Sequence, residues 1–150
     1  MATHIKKSHN KSLLLYHLVC PVKYRRDVLM EETTRTLKTI CLGIALRHEV
    51  HFVEIGTDED HVHFLIQSVP MCSPQHIAQT VKSITAREMF KAHPEVKQKL
   101  WGGEFWTKGY YINTVGQHAN EAAIAHYVKN QGRQYQRIHH DTPTLFEGMV

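Results

Sequence analysis

Two neighbouring segments with strand character are separated by only three acidic residues. The first is Glu49–Thr57, the second is His61–Val69, and Asp58–Asp60 lies between them. Alternation of apolar and polar residues is typical of a strand that buries one face, and a short polar connection favours antiparallel pairing. We therefore expect a β-hairpin here, and the rest of the chain must cover its apolar face.

The flanking segments supply further strands and helices in a regular order. Three signals mark these elements: apolar residues at helical spacing, a proline at a first helical position, and runs of β-branched or aromatic residues. They predict a strand at Ser12–Cys20, a helix at Asp27–His48, a helix from Ser73 to about Ala92 that stops at Pro94, a strand at Phe105–Val115 with a break at Gly109, and a last helix at about Ala119–Arg137.

The resulting order is β-α-β-β-α-β-α. Its first six elements form the split pattern of the ferredoxin-like, or RRM-like, α+β fold, an antiparallel sheet with helices on one face. A length of 150 residues, without an internal repeat or a linker, predicts a single domain over residues 1–150.

Composition narrows the class of partner. Lysine and arginine exceed aspartate and glutamate by 18 to 14, and the sequence contains 13 histidines. At pH 7 an unperturbed imidazole is about a quarter protonated, which adds further positive charge. This balance favours a polyanionic partner, although solubilising surface charge explains it equally well.

The location in the cell is predicted from cysteines and hydropathy. Cys20, Cys41 and Cys72 are odd in number and far apart, which suits a reducing cytoplasm better than a disulfide framework. No apolar run approaches the roughly 20 residues that a membrane span requires. We therefore expect a cytoplasmic protein without a membrane partner.

The pair His61 and His63 is a candidate metal site. Side chains two apart on a strand point to the same face, so both imidazoles can bind one ion while Val62 points into the core. With 13 histidines, however, about one such pair is expected by chance. Two half-buried histidines on a sheet surface therefore remain the alternative.

Tyr127 and Gln131 are four residues apart on the last predicted helix and so share a face. A phenol of pKa near 10 reacts at neutral pH when a nearby positive charge or a polarised target assists it, and a divalent ion supplies both. The glutamine oxygen could join two imidazoles as a ligand. Alternatively, Tyr127 covers the edge of the core and Gln131 faces solvent.

Several segments together resemble one family. GTDEDHVHFLIQS, FWTKGYYINTVG and HYVKNQG, with YRR at Tyr24–Arg26, occur in the order found in the single-tyrosine HUH transposases of very small bacterial insertion sequences, the insertion-sequence-200-like family. The resemblance spans about residues 13–131. Its histidine-hydrophobic-histidine motif falls on His61–His63, its catalytic tyrosine on Tyr127 and its metal-binding glutamine on Gln131.

The resemblance implies a function. Such enzymes are homodimers that bind single-stranded DNA hairpins and, with Mg²⁺ or Mn²⁺, form a 5′-phosphotyrosine link and a free 3′-OH. The tyrosine helix can complete the metal site of the partner subunit, in trans. The candidate DNA contacts here are basic: Arg25, Arg26, Lys82, Arg87 and Lys129.

Three other functions remain open at this point. A related HUH protein could act on repetitive genomic palindromes, which keeps the chemistry and changes the substrate. A non-catalytic nucleic-acid-binding module could use the same scaffold. A hydrolase or a metal-binding protein could use the many histidines.

Overall fold

A five-stranded antiparallel sheet forms the centre of the chain in the computed structural model, which describes residues 6–7, 10–11, 14–23, 28–58, 60–100, 103–115 and 135–141. Two short strands near the N-terminus form a separate two-stranded antiparallel sheet. In chain order the elements are β1 (Lys6–Lys7), β2 (Asn10–Lys11), β3 (Leu14–Pro21), α1 (Glu31–Arg47), β4 (Val50–Asp58), β5 (His61–Ser68), α2 (Pro74–Ala92), α3 (Pro94–Lys99), β6 (Tyr111–Thr114) and β7 (Gln136–His140).

The order of strands in the main sheet is β6-β3-β5-β4-β7, and every neighbouring pair is antiparallel. In the split β-α-β-β-α-β pattern, β3, β4, β5 and β6 are the first to fourth strands. Their spatial order is therefore fourth, first, third, second, with β7 added beside β4. The predicted α+β class and the β4–β5 hairpin are confirmed.

The core lies between one face of the sheet and the helices. Alternate residues of β5, Val62, Phe64 and Ile66, are fully buried there. Both long helices contribute a buried stripe at helical spacing, which is why they pack on this face. The stripes are Thr33, Leu37, Cys41 and Ile44 on α1, and Ile77, Ala78, Val81, Thr85 and Met89 on α2.

Local signals fix where the two long helices begin. Ser73 caps α2 by accepting a hydrogen bond from the backbone N–H of His76 at 3.0 Å, and Pro74 follows at the first helical position, as predicted. In α1 the Thr33 hydroxyl accepts from the backbone N–H of Met30 at 2.8 Å. These contacts satisfy backbone donors that a helix start leaves unpaired.

A β-bulge interrupts β4 between Phe52 and Glu54, where Val53 is the additional residue. Phe52 lies in the helix-side core, whereas Val53 joins a small apolar cluster with Leu15 and Leu65 on the opposite face. Glu54 pairs with Leu65 in the register. The residues after the bulge therefore alternate so that Glu54, Gly56 and Asp58 share the face away from the helices.

The strand predicted at Phe105–Val115 is too long, since only Tyr111–Thr114 pairs as a strand. Trp106 makes a single bridge to Val22, and both Phe105 and Trp106 are buried in the core. The Lys82 ammonium donates to the carbonyl oxygens of residues 107, 108 and 109, at 2.8, 3.1 and 3.3 Å. Those carbonyls are therefore turned towards a side chain rather than towards a strand partner.

Two other predicted bounds differ. The predicted end of the last helix, at about Arg137, is wrong, because Gln136–His140 is a strand that pairs with β4. The chain also begins α3 at Pro94, where only the end of α2 was expected, because proline is accepted at a first helical position. Residues 24–27 and 116–134 lie outside the described residues. Within the described ranges, no helix combines the length and hydropathy of a membrane span.

Candidate metal centre and active site

His61 and His63 lie on the sheet face away from the helices, at the start of β5. Their ring centroids are 4.9 Å apart. Val62 between them is fully buried in the core, as strand alternation predicts. His61 is partly exposed, with 26% of its side chain accessible, whereas His63 is buried. The pair thus has one member at the surface and one inside.

Asp58 adds a carboxylate to this pair. It is the last residue of β4, and the hairpin register sets it directly opposite His61. One potential ligand atom from each of Asp58, His61 and His63 lies within 4.8 Å of the others, and Asp58 Oδ2 is 4.0 Å from His61 Nε2. Sequence reasoning treated Asp58 only as part of a turn. The hairpin register was the signal that could have placed it beside His61.

These donors suit a divalent ion. Two imidazoles and one carboxylate form a ligand set used for Mn²⁺, Fe²⁺ and Zn²⁺, and the carboxylate also suits Mg²⁺. The 4.0 Å between Asp58 Oδ2 and His61 Nε2 is short enough for both atoms to bind one ion at bond lengths of about 2.0–2.2 Å. The residues present therefore fit a divalent metal without specifying which one.

Both histidines also have a partner at Nδ1. Asp60 Oδ1 lies 3.2 Å from His61 Nδ1, and His17 Nε2 lies 2.9 Å from His63 Nδ1. The rings of His17 and His63 are stacked, with centroids 5.1 Å apart and planes 12° from parallel. Burial, with a smaller effect of His63, lowers the pKa of His17 to about 4, so this imidazole is neutral at pH 7.

Tyr135 contacts the other side of His63. Its ring meets that of His63 edge to face, with centroids 5.7 Å apart, and lies over Gly56, the register partner of His63. Its hydroxyl donates to Glu54 Oε2 at 2.9 Å. Burial first, and then the Glu54 charge, raise the pKa of Tyr135. This phenol therefore stays protonated at neutral pH and is a poor nucleophile, although it is close to the metal candidates.

Glu54 anchors β7 to β4. Its side chain is 2% exposed and binds three residues from the C-terminal part of the described chain. Besides Tyr135, it accepts from Arg137 Nε at 2.9 Å and lies 2.8 Å from His140 Nδ1. Sequence reasoning missed Glu54, Tyr135 and His17, because none of them belongs to a short motif.

Two of the five basic candidates lie in the described chain, both on α2. They line a groove of about 860 Å³ between this helix and residues 103–110, together with the half-exposed Tyr110. Arg87 is exposed and 3.4 Å from Glu88 Oε2. Lys82 binds the carbonyls described above and lies 5.4 Å from the Tyr110 ring centroid. Burial lowers the pKa of Lys82.

The remaining sequence candidates lie outside the described residues. They are the predicted nucleophile, the predicted glutamine ligand and three basic residues: Tyr127, Gln131, Arg25, Arg26 and Lys129. The described chain thus brings His61 and His63 together and adds Asp58 to them. These three residues lie on the face away from the helices, whereas Lys82 and Arg87 lie on α2.

Comparison with known proteins places this chain in a family. The sequence model described as "Transposase IS200 like" matches residues 10–131. The ISDra2 transposase TnpA of Deinococcus radiodurans is 37% identical over 118 residues, covering 79% of this chain and 84% of the relative. The transposase for insertion sequence element IS200 of Salmonella typhimurium is 30% identical over 124 residues, covering 83% and 80%.

Solved structures agree. A crystal structure of a transposase from Deinococcus radiodurans superposes with a TM-score of 0.68 at 35% identity, covering 84% of this chain and 96% of that one. A REP-associated tyrosine transposase bound to a REP hairpin has the same fold, with a TM-score of 0.52 at 10% identity and coverage of 82% and 68%. With the family match over most of its length and the histidine face that the structure describes, the chain belongs to the IS200-like transposases.

Proposed function

We propose that this transposase cleaves and rejoins single-stranded DNA at the hairpin-bearing ends of an insertion sequence. Tyr127 is the nucleophile, and His61, His63 and Gln131 are the ligands of a divalent ion, with Asp58 as a further donor. The observation that carries the proposal is the grouping of Asp58, His61 and His63 on one sheet face.

The reaction conserves bond energy. The phenol oxygen of Tyr127 attacks the phosphorus and loses its proton, the bond from phosphorus to the 3′ oxygen breaks, and that oxygen takes up a proton as a free 3′-OH. The 5′ phosphate remains esterified to Tyr127, and attack by another 3′-OH reverses the step. A bound divalent ion would polarise the phosphate and offset its developing charge.

The described residues suit a DNA substrate in two respects. Arg87 is an exposed cation in the α2 groove, where it can contact phosphate. Tyr110 and Tyr111 are 37% and 58% exposed and can stack on bases, whereas Phe105 and Trp106 are buried and cannot. The hairpin held by the REP-associated structural neighbour is consistent with a folded single strand as substrate.

The insertion-sequence substrate is preferred over repetitive palindromes because of sequence similarity. The relatives at 30–37% identity are named for insertion sequences, whereas the REP-associated protein shares only the fold, at 10% identity. Hairpin-forming sequences beside the gene would support this choice, and repeated palindromes scattered elsewhere in the genome would contradict it.

We further propose a homodimer in which the tyrosine helix can act in trans, a metal that is Mg²⁺ or Mn²⁺, and a cytoplasmic location. Cys20, Cys41 and Cys72 are free thiols, and burial raises the pKa of Cys20 to about 12. Free thiols suit a reducing compartment. Size-exclusion chromatography with light scattering tests the dimer, and a monomer would contradict it.

The test of the central proposal is a covalent adduct. The protein is incubated with single-stranded DNA carrying the hairpin and flank of the element end, with Mg²⁺ or Mn²⁺, and is then analysed on a denaturing gel. We expect a slower band that disappears in Tyr127→Phe, in His61→Ala and with EDTA. Tyr135→Phe is the matched control, because this tyrosine contacts the His63 ring and its loss should leave the adduct. An adduct that persists in Tyr127→Phe would overturn the proposal.

A further inference from the structure

His17 lies on β3, the strand beside β5, and contacts His63 although it belongs to no recognised motif. Its Nε2 lies 2.9 Å from His63 Nδ1, and its side chain is buried. A hydrogen bond between two imidazole nitrogens needs one proton, so one ring donates and the other accepts. The direction of this hydrogen bond decides whether Nε2 of His63 carries a proton or has a lone pair free to bind a metal.

A histidine that binds a metal through Nε2 needs its lone pair there, so its proton must be on Nδ1. His63 then donates from Nδ1, and His17 accepts at Nε2 while carrying its own proton on Nδ1. If the direction were reversed, the proton of His63 would be on Nε2 and would block the ligand atom. The hydrogen bond with His17 can therefore select the tautomer of His63.

The neighbouring ligand shows the same arrangement. Asp60 Oδ1 is 3.2 Å from His61 Nδ1, so an acceptor also faces the Nδ1 atom of that ring. Partners of this kind fix the orientation and tautomer of metal-binding histidines in general, and their loss typically costs 10- to 100-fold in metal affinity. The difference is that Asp60 adjoins His61 in sequence, whereas His17 is 46 residues from His63.

We propose that His17 is a positioning residue for metal binding: its imidazole accepts the Nδ1 proton of His63 and holds the ring so that Nε2 faces Asp58 and His61. The stacking of the two rings fixes the plane of His63. This inference rests on the proposed metal-dependent function.

The test separates positioning from packing by comparing two substitutions. Leucine at position 17 keeps the site buried and removes the acceptor, whereas the amide oxygen of glutamine reaches about as far as Nε2 of histidine. We expect His17→Leu to weaken binding of Mn²⁺, measured by calorimetry and by electron paramagnetic resonance, about 10- to 100-fold. His17→Gln should restore affinity to within a few-fold of the wild type.

Two controls keep the result specific. His93→Leu removes another histidine, one that contacts Thr36 on the helix side of the sheet, and should leave Mn²⁺ affinity unchanged. In the metal-free protein, ¹⁵N NMR of the histidine side chains should show the proton of His63 on Nδ1 in the wild type and a mixture of tautomers in His17→Leu. Thermal unfolding of each variant shows that it is folded.

The outcomes are distinguishable. Mn²⁺ affinity that is unchanged in His17→Leu, or a proton on Nε2 of His63 in the wild type, would overturn the role of His17 and leave the proposed function standing. No binding of Mn²⁺ or Mg²⁺ by the wild type would overturn the proposed metal centre and this role together. Loss of affinity in both His17→Leu and His17→Gln would show that packing rather than the acceptor matters.

Discussion

The hydroxyl of Tyr135 donates a hydrogen bond to the carboxylate of Glu54 across 2.9 Å, while the ring of the same tyrosine contacts His63. Glu54 belongs to β4 and Tyr135 directly precedes β7. One side chain thus connects the attachment of the last described strand to the packing of a metal-ligand candidate.

Removing the Glu54 carboxylate should destabilise the fold. Glu54→Ala leaves Tyr135, Arg137 and His140 without their acceptor, and we expect the free energy of unfolding to fall by about 3 kcal/mol. Because Arg137 is 47% exposed and can turn to water, we do not expect a larger loss. Urea denaturation, monitored by circular dichroism, measures the free energy of unfolding of each variant. Glu54→Gln keeps an acceptor oxygen and should lose less, and equal losses in the two variants would contradict this account.

Gly56 and Gly43 make a matched pair. A Cβ at Gly56 would overlap the ring of Tyr135, whose hydroxyl is held by Glu54, so Gly56→Ala should displace that ring and destabilise the protein. Among the described residues, and apart from the backbone of α1 itself, no atom lies within 4 Å of a Cβ at Gly43, so Gly43→Ala should stabilise by about 0.5–1 kcal/mol through helix propensity. Thermal melts of both variants give the two signs, and a stabilising Gly56→Ala would contradict the packing of Tyr135.

Mixing two inactive variants tests whether the nucleophile acts in trans. Tyr127→Phe retains the histidines, and His61→Ala retains the tyrosine. In a trans arrangement, mixed dimers contain one site with both groups intact, so adduct formation should reappear after co-refolding. In a cis arrangement every site lacks one group and no adduct forms. Homodimers of each variant, refolded alone, are the controls, and activity in either of them would make the mixture uninformative about trans action and contradict the assigned roles.

We expect Lys82 to have a structural role and Arg87 to have a role in DNA binding. Lys82 donates to three backbone carbonyls, so Lys82→Met should lower the free energy of unfolding by about 1 kcal/mol. Arg87→Ala should leave stability nearly unchanged because this side chain is 63% exposed. If Arg87 contacts a phosphate, its loss reduces the salt dependence of single-strand binding, with the slope of log K against log salt falling by about 0.7. A slope that does not change in Arg87→Ala would remove it from the DNA contacts.

Strand alternation was sufficient to predict the hairpin, the shared face of His61 and His63 and the burial of Val62, because these depend on residues close in sequence. The helix start at Ser73 and Pro74 was predicted for the same reason. Strand β7 was not predicted, because its formation depends on Glu54, more than 80 residues away, whereas the local sequence favoured a helix to Arg137.

The site was only partly predictable for a similar reason. Asp58 reads as a turn residue until the register sets it opposite His61. His17 is one of 13 histidines and gains its meaning only from the pairing of β3 with β5. Tyr127 and Gln131 remain predictions, since both lie outside the described residues.

The additional residue at the bulge of β4 changes the parity of that strand. Under strict alternation from Phe52, the positions of Glu54 and Asp58 would face the apolar helix side, where an ionised carboxylate is costly to bury. Because Val53 is inserted, the odd-numbered residues of β4 after the bulge face the core and the even-numbered residues face the opposite side of the sheet. A single additional residue thus places both Glu54, which anchors β7, and Asp58, the acidic partner of the histidines, on the face away from the helices.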